Sequence, residues 1–133
     1  MCIQPEKVYH SEIYIPSELI ESCLDTQRKI DKILFSKHFL DRLDNTDAKH
    51  LFTKRDVLHA LLKVKKSPVV PFEIGVNGDK VSKIVVRVPF DKNSDLSLVL
   101  GLSNANYTYI ITAWKNSKYD THSTLDKSKY EQQ

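Results

Sequence analysis

The most chemically suggestive pair in this chain is His38 and Arg42, four residues apart in LFSKHFLDRL, residues 34–43. If that stretch is helical, Phe35, Phe39 and Leu43 form one buried stripe with Leu40 beside it, and the stripe's edge holds an imidazole next to a guanidinium. An imidazole exchanges a proton near neutral pH, and a guanidinium grips phosphate with two parallel N–H groups. Two further polar side chains fall in strand-like segments downstream. Arg87 interrupts the valines of KIVVRV, and Thr112 shares one face of YTYIITAW with Trp114. Together, His38, Arg42, Arg87 and Thr112 suit metal-independent RNA cleavage by attack of a ribose 2′-OH on the adjoining phosphate. That reaction needs one group to take the 2′ proton, one to protonate the leaving 5′ oxygen, and fixed positive charge on the phosphate. Thr112 would hydrogen-bond phosphate or a base, and Trp114 would stack on a base.

Other chemistries lack a signature. The five histidines, His10, His38, His50, His59 and His122, show neither HExxH nor HxH spacing, so no metal and no cofactor are expected. Cys2 and Cys23 form no CxxC pair, which argues against a disulfide or a cysteine-rich zinc site. Gly75, Gly78 and Gly101 match no phosphate-binding loop. Each candidate also has an ordinary structural role: His38 rimming the core, Arg42 pairing with an acid, Arg87 on a solvated strand face, and Trp114 in the core.

Helices and strands must position these groups. SEIYIP reads as a short strand ended by Pro16. ELIESCLDTQRKIDKIL then repeats apolar residues at helical intervals, with DTQRK either the exposed middle of one helix or a break between two. Ser36 is placed to cap the helix bearing His38, and DNTDAKH ends it. Thr53 and Asp56 have capping-box spacing ahead of VLHALLKVKK. There Val57, Leu61 and Val64 share a stripe, Leu58 and Leu62 lie beside it, and His59 and Lys63 face away. Beyond Ser67, VVPFEI, KVSKIVVRV, LSLVLGL and YTYIITAW read as strands, with Asn77-Gly78 as a hairpin turn and Pro71 marking the first strand as an edge. Tyr107 and Tyr109 fall on the face opposite Thr112 and are assigned to the core. The expected fold is α+β, with N-terminal helices packed on a three- or four-stranded antiparallel sheet.

At 133 residues and 41% hydrophobic content, residues 1–133 read as a single domain, with 115–133 as a polar, flexible tail. No apolar run is long enough for a membrane span, so a soluble, cytoplasmic protein is expected. The formal net charge is +3. It is concentrated between Lys49 and Lys66, where Lys49, Lys54, Arg55, Lys63, Lys65 and Lys66 face the single acid Asp56. Such a patch suits an anionic partner such as RNA.

SKHFLDRL on one helix, TKRDVLHAL opening the next and a meander ending in YIITAW resemble the small nuclease superfamily of barnase, RelE-type toxins, the colicin E5 and D nuclease domains, and related phage and BrnT-like proteins. The likeness spans roughly residues 35–115. It implies helices on one side of an antiparallel sheet whose other side receives RNA, and catalysis without a metal. On that likeness His38 and Arg42 occupy the helix motif, Arg87 a basic position on a central strand, and Thr112 the hydroxyl position of the last strand. No histidine follows Thr112 within its strand, which leaves Lys115, His122 or Tyr130 to supply a second proton-transfer group.

The leading expectation is therefore a metal-independent endoribonuclease, a toxin or phage factor whose partners are RNA and a cognate inhibitor or host protein. The alternatives are a non-enzymatic module that binds nucleic acid or a host protein, and a phage structural or assembly protein. Convergence of the four polar groups in one cleft favours the enzyme; dispersion favours binding.

Overall fold

The start signal at Thr53 opens a helix as its residues dictate. The Thr53 hydroxyl accepts the Asp56 N–H at 3.2 Å while the Asp56 carboxylate accepts the Thr53 N–H at 2.8 Å, satisfying two otherwise orphaned donors. The computed structural model describes residues 7–10, 14–45, 52–78, 80–102 and 107–119, with the side chains at 42, 44, 45 and 107 outside that set. In chain order the elements are β1 (Lys7–His10), α1 (Ser17–Arg28), β2 (Lys32–Phe35), α2 (Lys37–Asn45), α3 (Lys54–Lys66), β3 (Glu73–Asn77), β4 (Lys80–Pro89), β5 (Ser94–Leu102) and β6 (Tyr107–Ser117). The fold is α+β, with the N-terminal helices packed on a largely antiparallel sheet.

The sheet has six strands in the order β1-β3-β4-β5-β6-β2, rather than three or four. The β3–β6 meander is the expected one, with its first hairpin turning at Gly78, whose φ is +64°. The two additional strands come from the N-terminal half. β1 pairs antiparallel with β3, and β2 pairs parallel with β6. β1 lies ahead of the SEIYIP segment, of which residues 11–13 lie outside the described set and Tyr14 bridges back to His10. β2 corrects the helical reading of the end of ELIESCLDTQRKIDKIL and takes Leu34 and Phe35 from the helix that bears His38, which runs from Lys37 as α2. KILF is short and apolar, so its periodicity does not separate strand from helix, and the open edge of β6 decides in favour of strand. DTQRK is neither an exposed helix middle nor a break between two helices: its first four residues close α1, which ends at Arg28, and a strand follows.

Pro71 does not mark an edge. It precedes the first residue of β3, so it withdraws no donor from the ladder, and β3 lies between β1 and β4.

The three helices among the described residues lie on one face of this sheet. Cys23 of α1, Phe39 and Leu43 of α2, and Val57, Leu61 and Val64 of α3 share a core with Ile74, Ile84, Val86, Leu98, Leu100, Ile110 and Ala113. Leu62 turns away from it and is exposed, because it lies nearly opposite Val64 and Ala60 on the helix circumference. Gln27, fully buried, ties α1 to the segment after α3. Its amide donates to the Val69 carbonyl and accepts from the Val69 N–H, both at 2.8 Å.

Among the described residues no helix is long and apolar enough to cross a membrane.

Candidate functional site

Strand alternation gives the sheet a second face, turned away from the helices, and polar residues gather there. Val85 and Val99 are buried yet stand outside the helix-side core. They mark a cross-strand row running Glu73, Val85, Val99, Thr112 from β3 to β6. The next row is Arg87, Ser97, Trp114, and beyond it Asp95 stands opposite Asn116. Arg87 and Thr112 therefore share the outer face, as strand periodicity required.

Several contacts hold Arg87. Its guanidinium donates to the Ser117 carbonyl at 2.8 Å, lies 3.6 Å from the Asp95 carboxylate, and sits 4.8 Å from the centre of the Phe72 ring. With 13% of its side chain exposed, it is fixed in direction but still reaches the surface. Ser97 donates to the Asn116 side-chain oxygen at 2.6 Å, bracing the neighbouring strands. Thr112 and Trp114 are half-buried on β6.

The same face holds two groups that sequence reasoning missed. His10 and Glu73 are direct partners in the β1–β3 register, so their side chains rise together from the outer face. Glu73 is fully buried and His10 nearly so. Phe72 joins them to the arginine: its ring meets the His10 ring edge-on at 4.4 Å and stacks under the Arg87 guanidinium. Arg87 and Lys83 stand two positions either side of Val85, the register partner of Glu73, and that diagonal separation, about 7–8 Å, is within reach of long side chains. A legible signal existed for Glu73. Like Arg87, it is a charged residue inside an apolar strand run, and burying such a group is costly unless it is paired or used. His10 had none, because β1 is short and lies outside the segment whose pattern suggested a strand.

His38 is elsewhere. It is exposed on α2, next to Phe39, whose ring stacks on Phe35 with centroids 5.7 Å apart. Lys54 of α3 lies over Phe35 at 4.7 Å. His38 thus belongs to the helical layer and is separated by the sheet from Arg87 and Thr112. Arg42 lies on α2 as expected, with its side chain outside the described set. Ser36 does cap α2: its hydroxyl accepts the Phe39 N–H at 3.1 Å, and it also donates to the Ile111 carbonyl of β6 at 3.0 Å.

The bulge that adds Ile111 to β6 reverses the facing of Tyr109. Leu100 pairs with Ile110 whereas Val99 pairs with Thr112, so the strand loses one residue of alternation. Tyr109 consequently leaves the core to which its position in YTYIITAW assigned it and is 38% exposed on the outer face, opposite Leu34 of β2. Of the groups offered as a second proton donor, Lys115 lies on the helix side, 3.2 Å from Asp91. His122 and Tyr130 are outside the described residues.

The two free-standing chemical possibilities in the helical layer differ in kind. Cys23 is a buried free thiol whose pKa burial pushes up to about 12, so it is no nucleophile at neutral pH. The back of α3 is basic, with Lys54, Arg55, Lys63, Lys65 and Lys66 exposed. Among the described residues no group of three or more histidine, cysteine or carboxylate side chains is arranged to hold a metal ion. No family model, curated protein or solved structure matches the chain.

Proposed function

We propose that this chain is a metal-independent endoribonuclease whose chemistry takes place on the outer face of its sheet, around His10, Glu73 and Arg87. The observation that carries the proposal is the register that sets an imidazole directly beside a carboxylate, with a fixed guanidinium on the same face and one ring touching both His10 and Arg87. His10 takes the proton of the ribose 2′-OH, the 2′ oxygen attacks phosphorus, and the bond from phosphorus to the 5′ oxygen breaks as His10 hands that proton to the leaving oxygen. Glu73, buried beside His10, positions the imidazole without touching the RNA, and Arg87 offsets the charge that builds on the phosphate. The products are a 2′,3′-cyclic phosphate and a free 5′-OH.

Thr112 and Trp114, in neighbouring rows, hold the strand and stack a base. The layering of helices on one side and polar sheet face on the other is also the arrangement that the likeness to barnase and RelE-type proteins implies, and a toxin or phage role follows from that likeness. His38, in the helical layer, takes no part in this chemistry.

The test is cleavage of labelled RNA in EDTA by the wild type and by His10→Ala, Glu73→Gln and Arg87→Ala, with folding checked by circular dichroism. Cleavage lost in folded variants supports the assignment, and cleavage unchanged in all three removes it.

Two observations favour a second reading, a module that binds nucleic acid through α3 without cutting it: the exposed cations on that helix, and the separation of His38 from Arg87 and Thr112 by the sheet, which is the dispersion expected of a binding protein. Retention of intact RNA, abolished by Lys63→Glu and Lys66→Glu together, would select it.

A further inference from the structure

Two neighbouring helices present opposite charge to solvent. α1 carries Glu18, Glu21 and Asp25 against one cation, Arg28, and the three acids, spaced by three and four residues, form one exposed stripe. α3 carries Lys54, Arg55, Lys63, Lys65 and Lys66 against one acid, Asp56. Its outermost stripe runs Arg55, His59, Leu62, Lys66, so a leucine that is 61% exposed stands in the middle of a cationic face. The two helices pack against each other, and Gln27 ties the end of α1 to Val69, just beyond α3. Asp25 meets Lys29 at 2.8 Å. Among the described residues Glu18, Glu21, Arg55, Lys63 and Lys66 make no ion pair.

We propose that this helical layer binds a second copy of the chain, with α1 of each copy lying on α3 of the other. An acidic helix beside a basic one makes the layer complementary to itself. A two-fold axis along the seam between the helices lays an acidic stripe on a basic one twice over. An axis across the seam would set like charge on like, which is unfavourable. Leu62 gives the contact an apolar centre inside a charged rim.

Charge also selects the partner. A polyanion, whether nucleic acid or an acidic membrane, matches α3 alone and is opposed by α1 beside it; a second copy matches both. Size sets the strength. Helices of 12 and 13 residues are about 18–20 Å long and together about 20 Å across, a patch at the low end of specific interfaces. The dimer is therefore weak and sensitive to salt. The outer faces of the two sheets point away from each other in it, so the dimer rests on neither reading of function.

The test is sedimentation velocity of the full chain, up to millimolar concentration, in low and in high salt. A monomer–dimer equilibrium that weakens with salt is expected. Two sets of exposed charges are then reversed, Glu18→Lys with Glu21→Lys on α1, and Arg55→Glu with Lys63→Glu and Lys66→Glu on α3, with folding checked by circular dichroism. Each variant alone should associate about tenfold or more weakly than the wild type. An equal mixture of the two should associate again, because each reversed face then meets its opposite. A wild type that stays monomeric at millimolar concentration in low salt, association that the reversals leave unchanged, or a mixture of folded variants that stays monomeric overturns the proposal.

Discussion

At the scale of single residues, Arg87 is the group on which most depends. It was legible in the sequence because a guanidinium among valines must leave the core, and strand alternation gave its direction. Its anchors were not legible: Phe72, Asp95 and the Ser117 carbonyl come together only through strand register. Arg87→Ala should lower RNA cleavage by about 10²–10³-fold, the usual loss when a stabiliser of developing charge is removed, in a single-turnover assay. His38→Ala, in the opposite layer, should cut at the wild-type rate. Asp91 supplies a prediction of another kind. The Ser94 hydroxyl, the Asn93 N–H and Lys115 hold its carboxyl down to about 2. A depressed carboxylate contributes its stability above its ordinary value of 3.8 and loses it as pH falls through about 2. Thermal melts between pH 5 and pH 2 should therefore fall less steeply for Asp91→Asn than for the wild type.

At the scale of elements, caps and turns were readable and pairings were not. The Thr53–Asp56 box and the Ser36 cap follow from residue types at fixed offsets. The strand at KILF and the bulge at Ile111 depend on partners far along the chain, so local pattern gave a helix for one and the wrong facing of Tyr109 for the other. Ser36 joins both kinds of information, since one hydroxyl caps α2 and reaches across to β6. Ser36→Ala should cost about 1 kcal/mol in urea unfolding through the cap alone, and a value near zero would contradict the geometry. Gln27→Ala should cost more, about 1–3 kcal/mol for each backbone group it leaves unsatisfied at Val69. The same measurement checks it.

At the scale of the whole molecule, the sheet divides the chain into a helical layer with a basic back and an outer face with a buried polar cluster. Composition and periodicity were enough for the α+β class, because the switch from helical to alternating pattern at Ser67 is abrupt. They did not reveal that Lys7–His10 return to the far edge of the sheet and bring His10 beside Glu73. That pairing links positions more than sixty residues apart and has no local trace. It is also why the proposed chemistry moves from the His38 helix to the outer face. Binding of RNA should weaken steeply with added salt, as counterion release requires.

The central claim is most directly tested by incubating the purified chain with end-labelled RNA in EDTA and analysing the fragment ends. Cleavage leaving 2′,3′-cyclic phosphate and 5′-OH ends is expected, abolished by His10→Ala in a folded protein and untouched by His38→Ala. RNA left intact by the wild type would contradict it.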